Sequence, residues 1–269
     1  MILDTYTVID AHCHIYPEKI AAKAVAGTDR FYGTVAAGAG TVTDLLQMGG
    51  KAGVDRYVVH SVATTPKQVR SINDFIAGAV AEHPHTFIGL GALHPDCPDM
   101  AAEVQHLKAL GLHGVKLHPD IQAFQLDDPR NHPMYALCEQ EGLPLLLHTG
   151  DSRYDNSNPN RLLPVLKAYP GLTVIGAHLG GYSVWEEAVE QLAGIPNLYV
   201  DCSSCFWKLS KADARRFIRA YGTDRVLFGS DYPMWNVQNE LAFFLDLDLT
   251  DDELRGILSV NAERVFLGL

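Results

Sequence analysis

The chain has 269 residues, 47% of them hydrophobic, which is enough to bury one large core and matches the roughly 250 residues of a (β/α)8 barrel. Its formal charge of −11 comes from acids scattered along the chain, with no basic block able to follow a phosphate backbone, so nucleic acid is not an expected partner. No apolar run approaches the ~20 residues of a membrane span and Met1–Tyr6 lacks a basic stretch leading into an apolar one, so no membrane role is expected and the cytoplasm is the expected location.

Tyr6–Ile9 is the first strand-like run and leads directly into Asp10-Ala11-His12-Cys13-His14. The segment Ile15–Gly40 that follows is too long for an ordinary strand–helix turn. Its Ala36–Gly40 end predicts a flexible cover over the site. Further runs are Tyr57–Val59, Phe87–Leu90, Gly114–Leu117, Leu145–Leu147, Val174–Ala177, Leu198–Val200 and Val226–Phe228. Their near-continuous apolarity predicts strands buried on both faces. Between them, Ala101–Leu110, Pro133–Glu141, Leu162–Tyr169, Val184–Ala193 and Lys211–Tyr221 have helical spacing, and each runs up to a glycine: Gly111, Gly142, Gly171, Gly194 and Gly222. The order predicts a single-domain (β/α)8 TIM barrel over residues 1–269, with a doubly wound open sheet as the structural alternative.

Each run ends in a residue able to bind a metal or move a proton: His12 and His14, then His60, His94, His118, His148, His178, Asp201 and Asp231. In a barrel the C-terminal strand ends share one mouth, so these residues are expected to meet. Period-two geometry sends His12 and His14 to one side and Cys13 to the other. Joined in barrel phase by His148 and Asp231, they form an expected site for one divalent cation. Imidazoles with one carboxylate suit Zn2+, with Mn2+, Fe2+ or Co2+ as competitors. His60 and His94 are read as hydrogen-bonded barrel histidines. Five cysteines are an odd number and are read as reduced, with Cys202 and Cys205 packed rather than binding zinc.

The chain resembles the amidohydrolase superfamily, and within it the amidohydrolase-2 group. The resemblance rests on Ile9–His14, Gly114–Pro119, His148-Thr149-Gly150, Ala177–Gly181, Asn197–Asp201, Phe228–Pro233 and Asn261–Phe266. It implies that His12, His14 and His148 bind the metal, that Asp231 ligates it or takes a proton from its water, and that His178 polarises substrate or orients that water. Lys116 is left open between a carboxylated bridge to a second metal, a substrate contact and an ion pair with a neighbouring acid. His118 and Arg153 are further candidate substrate contacts. His118 alternatively forms a His-Pro turn, and Arg153, with Tyr154 and Arg161, alternatively lies on the surface. Asp201 either orients a ligand histidine or holds structure, Asp10 leans to structure, and Trp207 and Trp235 are read as packing. The resemblance also implies a small-molecule substrate and allows a homodimer.

The leading expectation is hydrolysis of a small carboxylated ester, lactone or amide by metal-activated water. Its alternative is metal-dependent, non-oxidative decarboxylation of an aromatic or unsaturated acid. A third reading, a non-catalytic metal-binding barrel, gives no role to His178 and Asp231 as proton carriers beside the ligands.

Overall fold

A computed structural model describes residues 5–269, so Met1–Asp4, part of the sequence reading of the N-terminus, lie outside the described residues. The elements run β1 (Ile9–His14), α1 (Glu18–Tyr32), α2 (Val42–Ala52), β2 (Arg56–His60), α3 (Val69–Glu82), β3 (Phe87–Gly89), β4 (Gly91–Ala92), α4 (Met100–Ala109), β5 (Val115–Leu117), α5 (Pro119–Gln122), α6 (His132–Gln140) and β6 (Leu145–Leu147). They continue through α7 (Pro159–Ala168), β7 (Val174–Gly176), α8 (Trp185–Leu192), β8 (Leu198–Asp201), α9 (Lys211–Tyr221), β9 (Val226–Leu227), α10 (Val237–Leu245), α11 (Asp251–Arg255) and α12 (Asn261–Leu267).

All strand pairs are parallel, in the orders β1-β2-β3 and β4 to β9. The third strand-like run, Phe87–Leu90, forms β3 and continues past its expected end into β4 through Leu90, whose N–H donates to Val59 O at 2.9 Å, while the next N–H, of Gly91, donates to Gly114 O at 2.9 Å. The ring closes where Ala11 N–H meets Phe228 O at 2.8 Å and His14 N–H meets Tyr232 O at 2.7 Å. The fold is therefore the expected barrel rather than an open sheet.

Two apolar clusters follow from the strand alternation. Ile9, Ala11, Val58, Ile88, Leu146, Ile175 and Leu227 fill the barrel interior, and Ala262 and Phe266 of α12 pack against them. The other faces pack on the helices, with Val59, Val115, Leu145 and Val200 among the contributors. Their complete burial on both sides explains why alternation is invisible in the sequence.

The first strand departs from expectation. It begins only at Ile9, the last residue of the run read as a strand, and itself carries the two histidines. Its register against β2 is irregular between Asp10 and Cys13. Ala11 packs inside the barrel while His12 lines the mouth, so neighbours share the inner side, as a bulge allows. Among the described residues, no helix is long and apolar enough to cross a membrane.

Candidate active site

The strand ends open into a cavity of about 890 Å³. Its floor carries His12, His14, Lys116, His118, His148, His178 and Asp231, seven of the expected site residues.

His12 is fixed from behind. Its Nδ1 lies 2.8 Å from Asp201 Oδ2, a carboxylate that is only an acceptor and so places the proton on Nδ1 and the lone pair on Nε2. Asp201 therefore orients a histidine, and its Oδ1 also accepts from the backbone N–H groups of His178 and Ser203, both at 3.0 Å. Asp10 is structural: it accepts from Ser230 N–H at 2.9 Å and Ser230 Oγ at 2.5 Å, tying β1 to the loop after β9.

His12 Nε2 lies 3.3 Å from His14 Nε2 and 3.3 Å from Asp231 Oδ1, and the third side of the triangle, His14 to Asp231, is 3.5 Å. Ligands ~2.1 Å from a tetrahedral or octahedral cation are ~3.0–3.5 Å apart, so these three atoms fit one face of a metal's coordination shell. Lys116 Nζ stands 3.0 Å from the same His12 lone pair, where its ammonium supplies the positive charge that these atoms face. Lys116 is buried, and among the described residues it forms no ion pair with an acid, contrary to one of its expected roles.

Burial and charge agree with this geometry. Burial, aided by the Lys116 ammonium, pushes His12 down to about 4, so its imidazole is neutral near pH 7. Burial lowers His14 as well. Lys116 is pushed down to about 8 by burial, against the pull of Asp231 and Asp201. Burial would raise Asp231, but the His12, His14 and His178 imidazoles outweigh it and hold the carboxyl well below the usual range. Asp231 and His178 both have left-handed backbones, with φ of 59° and 62°. The Asp231 carboxylate is braced by Ser204 Oγ at 2.5 Å, and His178 by its N–H on Asp201. Such strain persists where surrounding contacts over-determine it.

His148 sits on the other side of the mouth. Its Nδ1 is 3.0 Å from His178 Nε2, and its Nε2 is 3.0 Å from Gly150 O and 3.5 Å from Asp120 Oδ2. The structure thus brings His12, His14 and Asp231 together and sets His148 with His118 and Asp120. The His118 ring lines the cavity and stacks on His148 at 4.0 Å, and its Nδ1 also caps the Ile121 N–H after Pro119 at 3.3 Å, the expected His-Pro turn. Gly150 must be glycine: at φ 75° it abuts Gly181, whose Cα would lie 2.5 Å from an added Cβ.

The cover is real, but its end is tied down rather than loose. Gly38 N–H donates to Pro233 O at 2.9 Å and Gly40 N–H to Tyr232 Oη at 3.0 Å. The cover contributes Tyr32, whose hydroxyl is 2.7 Å from His118 Nε2 and 3.4 Å from His148 Nε2. Arg153 is absent from the cavity lining. Its guanidinium grips Asp151 at 2.7 Å and Phe31 O at 2.8 Å, over the Phe31, Tyr32 and Tyr154 rings. Arg161 meets Asp155 and Asp127 near the surface.

Several residues differ from their sequence reading or escaped it. His60 has no hydrogen-bond partner on either nitrogen among the described residues, contrary to expectation, and its ring stands edge-on to His14 at 4.4 Å. Its strand-end phase was the available signal. Trp235, read as packing, lines the cavity and donates to Ser204 Oγ at 2.7 Å, whereas Trp207 is half exposed and stacks on it. Asp120 and Tyr32 carried no strand-end signal. His94 does accept from a backbone N–H, that of Asp96, at 3.2 Å, and all five cysteines are free.

Among curated proteins, 2-amino-3-carboxymuconate-6-semialdehyde decarboxylase of Dictyostelium discoideum is 32% identical over 108 residues, covering 39% of this chain but only 30% of that protein. Gamma-resorcylate decarboxylase of a Polaromonas strain is 24% identical over 248 residues, covering 73% of this chain and 75% of its own length. A solved dihydroxybenzoic acid decarboxylase from Polaromonas, with bound manganese, superposes with a TM-score of 0.74 at 18% identity, covering 97% of each chain. That likeness shows the fold. The amidohydrolase-2 family model, described as amidohydrolase, matches residues 9–267, and the chain belongs to that family.

Proposed function

We propose that the protein is a metal-dependent, non-oxidative decarboxylase of an aromatic or unsaturated carboxylic acid. The observation that carries this reading is the triangle of His12 Nε2, His14 Nε2 and Asp231 Oδ1 at the floor of a deep cavity, in a chain whose curated relatives are named decarboxylases. His12, His14 and Asp231 would hold one divalent cation; His148, the fourth ligand expected from the sequence, stands across the mouth with His118 and Asp120, its ring nitrogens engaged by His178 and Gly150. Histidine and carboxylate donors suit Mn2+ or Zn2+. When bound, the cation would supply a Lewis acid for a substrate oxygen.

In the reaction the bond between carbon and carboxylate breaks, carbon dioxide leaves, and a proton takes its place on that carbon. Asp231, held ionised, accepts a proton from a substrate hydroxyl or water and returns it to the carbon. Lys116 offers a buried cation to the substrate carboxylate. His178, held between His148 and Ser203, fixes the substrate's orientation beside Asp231. His118 and Tyr32 border the bound acid, and Arg153 secures the cover rather than touching substrate.

Hydrolysis of a carboxylated ester, lactone or amide would use Asp231 as the base for water; the relatives' names favour the first reading. The test is a panel of hydroxybenzoates and unsaturated diacids offered beside lactones, esters and amides to Mn2+- or Zn2+-loaded protein. Carbon dioxide released one-for-one with acid consumed is the expected result. Hydrolysis without carbon dioxide from any acid would overturn the proposal.

A further inference from the structure

The cavity is larger than the reacting end requires. At about 890 Å³ it lies near the top of the ~300–1,000 Å³ range of small-molecule sites, which house ligands well beyond one ring. Its excess lies between α1 and α3. Ile20, Ala24, Gly27 and Phe31 recur at helical spacing and turn one stripe of α1 towards the cavity. Val62, Ile72 and Phe75 line the opposite wall. Ile20 is 44% exposed, and a Cβ added to Gly27 would meet nothing within 4 Å, so this wall faces open space. Lys19, Lys23 and Arg30 also line the cavity from α1, and among the described residues none of them meets a carboxylate.

We infer that the space between α1 and α3 is an arm of the substrate site that takes a second apolar group, about the size of a ring, ending in an anionic group at the Lys19–Lys23 rim. The substrate class is then an extended dicarboxylate: one carboxylate at the His12–Asp231 end, an apolar body along Ala24 and Gly27, and the other end in solvent beside the lysines. Apolar burial favours the body and charge complementarity selects the terminus. This inference rests on the reading of the site as one for a carboxylic acid, and it concerns binding alone.

The test is calorimetric titration of Mn2+-loaded protein with benzoate, biphenyl monocarboxylate and biphenyl dicarboxylate. The monocarboxylate is expected to bind about 10-fold or more tightly than benzoate. The dicarboxylate should gain about 3-fold more at low salt, and that gain should vanish in a Lys19→Ala/Lys23→Ala variant. Gly27→Phe, which fills the arm with a better helix former, should abolish the biphenyl advantage while leaving benzoate affinity within about twofold. Ile20→Asp, at an exposed position, should act in the same direction and guards against misfolding of the first variant. Equal affinity of the wild type for benzoate and the biphenyl acids, or equal weakening of both by the two arm variants, would overturn the arm. Lack of a dicarboxylate gain would overturn its anionic terminus. A protein that binds in the expected order yet releases no carbon dioxide would retain the arm and lose the decarboxylase reading.

Discussion

On the β9–β1 side of the mouth, the polar groups are held by strand ends and the loops immediately after them: His12 by Asp201, Asp231 by Ser204, and β1 itself by Asp10 on Ser230. On the β5–β6 side, His118 and His148 are completed from outside the barrel, by the Tyr32 hydroxyl of α1. The first side has lone pairs converging on one point with few protons between them, the arrangement of a cation site. The second has stacked imidazoles and an Asp120 Oδ1 with no hydrogen-bond partner among the described residues, beneath a cover that Arg153 clamps, the arrangement of a substrate wall. The barrel therefore fixes the chemistry rigidly, while an added helix shapes what reaches it.

The largest effect is expected at His12. His12→Ala should strip the cation, reducing metal content measured by mass spectrometry to under about a tenth of wild type, because two of the triangle's three sides end on its Nε2. Full occupancy in that variant would move the cation to the other side of the mouth. Asp231→Asn should lower kcat by roughly 10²- to 10⁴-fold, more than it raises KM, because the amide stays polar but carries no proton; steady-state kinetics on metal-replete protein decides. Tyr32→Phe touches only the second side. It should leave metal content unchanged and raise KM by about 2- to 10-fold, the usual worth of one hydrogen bond.

The smallest effect expected concerns stability. Glu240, on α10, is buried, its Oε2 has no hydrogen-bond partner among the described residues, and burial, with repulsion from Asp231 and Asp10, raises it from 4.5 to about 8. A carboxyl raised in the folded state stabilises fully below its unfolded value, and that stability is lost as pH rises through the folded value. Glu240→Gln should therefore melt above wild type at about pH 9, with the gap closing towards about pH 4–5. A gap that widens on acidification would contradict the sign.

The barrel was legible because the strands bury both faces and five helices, α4, α6, α7, α8 and α9, end within three residues of a glycine, in a chain whose strand ends recur about every 30 residues. That same phase carried the mouth residues, including His12, Lys116, His178 and Asp231. What the phase could not carry is anything contributed by loops and helices. Tyr32 sits mid-segment at the end of α1, and Asp120 follows a His-Pro turn, so nothing in their spacing marks them as mouth residues. Arg153 shows the converse: a loop arginine beside the site looks like an anion binder until Asp151, two residues before it, takes its guanidinium. The bulge in β1 was hidden as well, because a register shift leaves the residue types unchanged.

The role proposed for Asp231, beside His12 and His14, is to deliver a proton to the carbon that loses its carboxylate. Turnover of an accepted acid in D2O enriched with 18O, followed by mass spectrometry of the product, tests it most directly. One deuterium on that carbon, no 18O in the organic product and one carbon dioxide per turnover are expected, all lost in Asp231→Asn. A product carrying 18O with no carbon dioxide released would mean that water attacks the substrate, and would contradict it.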